Sequence, residues 1–240
     1  MTTQAKSKRH QQWWARENAR ALVGPYVPLT MPCGGLDIER PASQMREKAL
    51  RHAAVLQQVP GDMLVVICAN FSVALVPVVA GAGFQYDAHT SWSVPVASSI
   101  DELRITPFRA DHPLYQQYLE RLQPLLDNWS WDTYLPGLAD YLGPLDILAA
   151  LLGPEELAVA MMLQPDEVKK HVMDAAQFLR DMLAHERGFF GAGGGAAVPR
   201  VFCRAGYRGV WHRAVGVPAC AFGGALVPAG DPGLPPSRRH

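Results

Sequence analysis

The chain is expected to fold as an α/β protein in which short buried strands alternate with amphipathic helices around a parallel sheet. Three observations predict it. Leu64-Val-Val-Ile67 is short, β-branched and uncharged, as a strand buried on both faces should be. Apolar residues recur at helical spacing in 112–126 (Tyr115, Tyr118, Leu119, Leu122, Leu126) and again in 165–186 (Val168, Val172, Ala176, Leu179, Leu183). Glycine and proline punctuate the chain between these segments at intervals suited to βα units.

The bulk composition narrows the class further. An apolar share of 49 % over 240 residues is ample for a buried core, which argues against global disorder. Lys+Arg and Asp+Glu stand at 22 each, so no long-range charge draws the chain to nucleic acid or to an anionic membrane. A small-molecule substrate or a protein partner remains open. The four cysteines, Cys33, Cys68, Cys203 and Cys220, form no CxxC pair, and residues 1–10 are polar and basic rather than signal-like. A reduced, cytoplasmic protein is expected.

In chain order, residues 7–22 read as a basic amphipathic helix with Trp13, Trp14 and Leu22 as apolar anchors, stopped by Pro25 and Pro28. Residues 26–31 read as a first short strand and 31–40 as a loop. Pro41 opens the next helix, whose apolar face is Met45, Leu50, Ala53, Ala54 and Leu56. Residues 63–83 carry no formal charge and are long enough to span a bilayer. Asn70, Ser72 and Pro77 inside the run, and Gly81 and Gly83 at its end, favour strand, loop and buried helix instead. Residues 84–105 read as a hairpin excursion, Asp111 as the cap of helix 112–126, and 131–135 as a strand. Helices follow at 144–152 and from Pro165 to about residue 186, the latter with Asp166 and Glu167 in its first turn where the dipole favours acids.

Polar residues in loops that follow strands are the functional candidates in such a fold. Cys33, beside two glycines, is a pocket thiol or an inert buried cysteine. Asp37 and Arg40 bind a polar or anionic substrate, or form a solvated loop pair. Asn70, at a strand end, is the first choice for substrate contact. Asp140 and Asp146 serve as binding or acid–base groups, or as helix caps. His52 and His171 are expected on helix surfaces. No catalytic residue and no metal ligand is assigned.

After residue 187 the composition changes. Residues 188–240 contain one acid, Asp231, and no Lys, Ile, Thr, Asn or Met, while Gly, Ala, Pro, Arg and Val dominate. The glycine-rich run at 191–197 lacks the Lys-Ser/Thr of a phosphate loop. This tail is expected to be irregular: disordered, or the translation of a GC-rich gene in a shifted frame.

The segment Tyr134-Leu-Pro-Gly-Leu-Ala-Asp-Tyr-Leu-Gly-Pro-Leu-Asp-Ile-Leu-Ala-Ala-Leu-Leu-Gly-Pro-Glu-Glu-Leu157, followed by Gln164-Pro-Asp-Glu-Val168, resembles the uroporphyrinogen-decarboxylase superfamily. That superfamily includes the decarboxylase of haem synthesis and methyltransferases that act with corrinoid proteins. Region 84–111, with Trp92, Pro95 and Ile100-Asp-Glu-Leu103, resembles it too. The likeness spans residues 11–187 and stops near the tail. It implies a (β/α)8 TIM barrel with its pocket at the C-terminal ends of the strands. Eight units need about 250 residues, so residues 1–187 are expected to be the front part of an incomplete barrel.

The resemblance implies either of two chemistries. One is methyl transfer to or from a corrinoid protein, with zinc lowering the pKa of an acceptor thiol. The other is porphyrinogen decarboxylation without a cofactor. The family's Arg-rich loop after the first strand corresponds to 33–40, where Arg40 keeps a basic group. Its catalytic aspartate follows a Phe-Ser pair, but here Val73 follows Phe71-Ser72. Its tyrosine falls near Leu151. Zinc ligands would lie mostly in the second half, and Cys203, His212 and Cys220 lack the expected spacing. The alternative is a non-catalytic fragment without independent activity.

Overall fold

The computed structural model describes residues 3–15, 17, 36–59, 61–62, 64–87, 90–130 and 132–193. Its elements run α1 (Thr3–Trp14), a 3-10 turn (Ala42–Gln44) leading into α2 (Met45–Gln57), β1 (Val66–Ile67), α3 (Leu75–Val79), β2 (Gly83–Tyr86), β3 (Ser91–Val94), α4 (Pro113–Asp127), β4 (Leu135–Pro136), α5 (Pro144–Leu152), α6 (Pro154–Leu163) and α7 (Pro165–Gly193). The class is mixed α/β, with about 56 % of the described residues helical and no closed barrel among them. The expected strand at 26–31, Leu22, Cys33, Trp131 and the tail from 194 onward lie outside the described residues.

Strands β1 and β4 pair in parallel, Val66 opposite Leu135 and Ile67 opposite Pro136. Around β1 the side chains alternate. Val65, Ile67, Ala69 and Phe71 are buried against the helices, whereas Cys68 and Asn70 are exposed. This corrects the expectation of a strand buried on both faces, because no described element covers the second face. Strands β2 and β3 form the antiparallel hairpin expected between 84 and 105, although residues 95–105 add no further strand to it.

Helix α4 turns Tyr115, Tyr118, Leu119, Leu122, Leu125 and Leu126 inward. Each fully buried large apolar side chain is worth about 1.5–3 kcal/mol. Phe71 meets the edge of Tyr118, with ring centroids 5.6 Å apart, and Tyr118 stacks on Tyr115 at 6.0 Å. Helix α5 adds Ile147, Leu148, Leu151 and Leu152, and α7 packs across it through Ala175, Phe178, Leu179 and Met182.

Several boundaries and faces differ from the sequence reading, each for a local reason. Asp111 does not cap α4: His112 takes the N-cap position before Pro113, and Asp111 pairs with Arg109 at 2.7 and 3.0 Å. On α2 the buried face is Met45, Lys48, Ala49 and Ala53, while Leu50 and Ala54 are exposed. A buried lysine shifts the stripe by part of a turn. His171 is buried, because α6 packs against the start of α7. Helix α6 itself is additional: Gly153, at φ 96°, ends α5, and Pro154 then starts a new helix with Glu155 and Glu156 in its first turn. Helix α1 begins earlier than expected and is tied by Arg9 to the buried Asp62, whose carbonyl lies 2.8 Å from His10 Nε2. Helix α7 continues past residue 187 to Gly193, and Phe190 is buried.

The approach of β4 to β1 is set by Gly137. A Cβ there would meet Val66 Cγ1 at 2.8 Å and Cys68 Cβ at 3.3 Å. Gly137→Ala is therefore expected to destabilise the protein by about 1–3 kcal/mol through overpacking, read as a lower urea midpoint; an unchanged midpoint would refute the close fit.

Candidate functional site at the strand ends

The two parallel strands end side by side, and each is followed by a loop whose backbone is held by a buried carboxylate. At the end of β1 that carboxylate is Asp37, which has no exposed surface. Its Oδ2 accepts the Asn70 N–H at 2.7 Å, and its own N–H donates to the Asn70 carbonyl at 2.7 Å. Arg40 Nε donates to Oδ1 at 2.7 Å, and Lys48 Nζ, delivered by the buried face of α2, donates to Oδ2. Helix α4 holds the same loop from the other side. Gln117 donates to the Ile38 carbonyl at 3.1 Å and Arg121 Nε to the Arg40 carbonyl at 3.0 Å. Asp37 is thus a charge-compensated anchor.

At the end of β4 the carboxylate is Glu186, from α7, also without exposed surface. Oε1 accepts the Ala139 N–H at 2.9 Å and the Tyr118 hydroxyl, and Oε2 accepts the Tyr141 hydroxyl at 2.6 Å. Its three donors are neutral. Burial raises the Glu186 pKa above its ordinary 4.5, against the opposing effect of these hydrogen bonds. Burial likewise pushes Tyr118 and Tyr141 well above the usual phenol range, and the Glu186 charge adds to it. Perturbed groups of this kind, gathered at strand ends, mark candidate functional sites.

Between these anchors lie the exposed groups Cys68, Asn70 and Asp140. Solvent reaches Cys68, yet protein is dense around it, and burial is the main cause of its raised thiol pKa. Lys48 opposes that rise, whereas Asp140, Asp37 and Glu186 reinforce it. All four charged groups therefore lie within electrostatic reach of the thiol. The Asn70 side-chain oxygen accepts the Ser72 N–H at 3.1 Å, which supports Ser72 at φ 60°. A non-glycine residue in that region costs on the order of 1–3 kcal/mol, so the turn after β1 is held under strain.

Of the residues singled out from sequence, the strand ends bring together Asp37, Arg40, Asn70 and Asp140. Asp37 and Arg40 meet each other beneath the surface rather than as a solvated pair. Asp146 is engaged elsewhere: its Oδ2 accepts the Gly143 N–H at 2.8 Å at the start of α5. Cys33 lies outside the described residues. Val73 and Leu151, which the sequence resemblance would set against an aspartate and a tyrosine, are respectively exposed and fully buried in the core. Sequence reasoning missed Cys68, Lys48, Tyr118, Tyr141 and Glu186. The alternation of β1 was the available signal for Cys68; the others converge only through packing.

Among the described residues no group of three or more His, Cys, Asp or Glu side chains is placed to hold a metal ion, and no helix is long and apolar enough to cross a membrane. An open groove of about 570 Å³ lies against the hairpin and α4, lined by Ile38, Phe84, Tyr86, Leu114, Gln117 and Arg121, but it contains none of the strand-end groups. The chain matches no protein-family model, no curated protein and no solved structure.

Two outcomes follow from the anchors. Lys48→Met leaves the buried Asp37 with Arg40 as its remaining cationic partner and is expected to cost about 1–3 kcal/mol, part of it recovered when Asp37→Asn is added; urea unfolding of the single and double variants checks this. Glu186 gains its proton more readily when folded, so its stabilising contribution is complete below pH 4.5 and lost as pH rises through its raised pKa. Glu186→Gln keeps the oxygen acceptor and removes that dependence. The unfolding free energy of the wild type should therefore fall relative to the variant between pH 4 and pH 8, and a constant difference would show no titration there.

Proposed function

We propose that residues 11–187 are the front part of a uroporphyrinogen-decarboxylase-like (β/α)8 barrel that binds a small molecule at the C-terminal ends of its strands. One observation carries the reading: a thiol, an amide and a carboxylate (Cys68, Asn70 and Asp140) are exposed together at the ends of two parallel strands. The α/β class, the loop from β4 into α5, the helix from Pro144 that closes at Gly153, and the helix start at Pro165 support this reading. In barrels of this class the reacting groups come from the ends of several strands.

The chemistry is that of the family, methyl transfer to or from a corrinoid protein or decarboxylation of a porphyrinogen. In either, the Asn70 amide would orient a polar substrate group. With Val73 at the family's acid position, Asp140 is the exposed carboxylate able to stabilise developing positive charge. The described residues do not provide a zinc site, so no step is assigned to the metal.

A second reading, a non-catalytic fragment, is favoured by the face of the β1–β4 sheet that no described element covers. Titration of the purified full chain with uroporphyrin separates the readings, with a zinc-reconstitution assay beside it. Saturable porphyrin binding, weakened about tenfold or more by Asp140→Asn or Asn70→Ala, is the expected result. Stoichiometric zinc would point to methyl transfer. Neither ligand binding, together with a broad thermal transition, would leave only the fragment.

A further inference from the structure

Asp140 occupies an unusual place in the strand-end loop. Its two chain neighbours, Ala139 and Tyr141, are both bound to the same buried carboxylate: the Ala139 N–H reaches Glu186 Oε1 at 2.9 Å and the Tyr141 hydroxyl reaches Oε2 at 2.6 Å. Ala139 is buried and Tyr141 half-buried, while Asp140 between them is exposed. A residue flanked by two ties to one rigid point has little freedom of its own. The third ligand of Glu186, Tyr118, comes from the core of α4 and fixes the carboxylate itself.

We propose that Glu186 is a positioning residue, which by gripping Ala139 and Tyr141 holds the Asp140 carboxylate beside Cys68 at the mouth of the strands. The inference rests on reading the strand ends as the ligand site, but it concerns only how this chain arranges its own groups. Burying a carboxylate is costly and is offset here only by its three neutral donors, two of which belong to the β4 loop. Tyr118 from α4 and Tyr141 from the loop after β4 donate to Glu186, while Tyr115 on α4 and Cys68 at the end of β1 lie within its electrostatic reach. His185, next along α7, is engaged with the Tyr115 hydroxyl at 3.1 Å.

The reactivity of Cys68 reports on Asp140 without any ligand. Full-length protein is alkylated with iodoacetamide across pH 6.5–9, and the rate at the Cys68 peptide is followed by mass spectrometry. Asp140→Asn removes a nearby negative charge and should accelerate alkylation at pH 7.5 by about threefold. That factor is measured in three backgrounds, so the charge of Glu186 itself cancels. In Glu186→Gln it should persist, because the amide oxygen keeps the Ala139 and Tyr118 bonds and the amide nitrogen can donate to the Tyr141 oxygen. In Glu186→Leu it should vanish, because both ties are lost.

If Glu186→Leu fails to fold, as judged by circular dichroism, Tyr141→Phe decides. It removes one tie and should reduce the factor. An undiminished factor in Glu186→Leu or Tyr141→Phe, or no acceleration by Asp140→Asn in the wild type, overturns the proposal. Failure to bind porphyrin or zinc, with the coupling intact, would sink the ligand site and leave the positioning role standing.

Discussion

A backbone N–H donated to a buried carboxylate holds the end of each parallel strand, and the arrangement of everything above depends on these two bonds. A carboxylate taken out of water loses several kcal/mol of hydration, which it recovers only through well-directed partners. Asp37 recovers it from two cations and the Asn70 backbone. Glu186 has three neutral donors instead. The first anchor is therefore set by charge and the second by hydrogen-bond geometry. The two strand ends should accordingly respond differently to salt.

The exposed groups at the mouth gain from this division. A side chain that must meet a substrate in one orientation is best carried on backbone that does not move. Asn70 is fixed through its main chain by Asp37, and its side chain supports the left-handed Ser72. Core packing supplies the backing. Phe71 leads from the strand end straight into the stacked tyrosines of α4, so displacing the turn would disturb the aromatic cluster.

Local patterns were legible in the sequence where one residue type means one thing. Pro144 and Pro165 begin helices, Leu64-Val-Val-Ile67 contains a strand, and the spacing of Tyr115, Tyr118, Leu119 and Leu122 marks the inner face of α4. Legibility failed where a polar residue takes a core position. Lys48 looks like a solvent residue until Asp37, eleven positions earlier, is folded against it. Glu186 reads as the polar end of an amphipathic helix, yet its partners are 45, 47 and 68 residues away. Periodicity carries no information about such long-range pairs. Strand lengths were overestimated for a related reason: apolar runs show which residues are buried, not how many backbone bonds a neighbouring strand supplies.

The length of α7 gives the abrupt change in composition a mechanical meaning. Helix backbone bonds link each carbonyl to the N–H four residues on, so Glu186 is locked in place by turns built from Gly188, Phe189, Phe190 and their successors. Phe189 packs on the core and Phe190 is buried. A chain cut at residue 187 would leave Glu186 in a final turn that frays, with its carbonyl unpaired and the apolar cover gone. The glycine-rich sequence, so different in composition from what precedes it, begins as the splint that keeps the β4 loop in register.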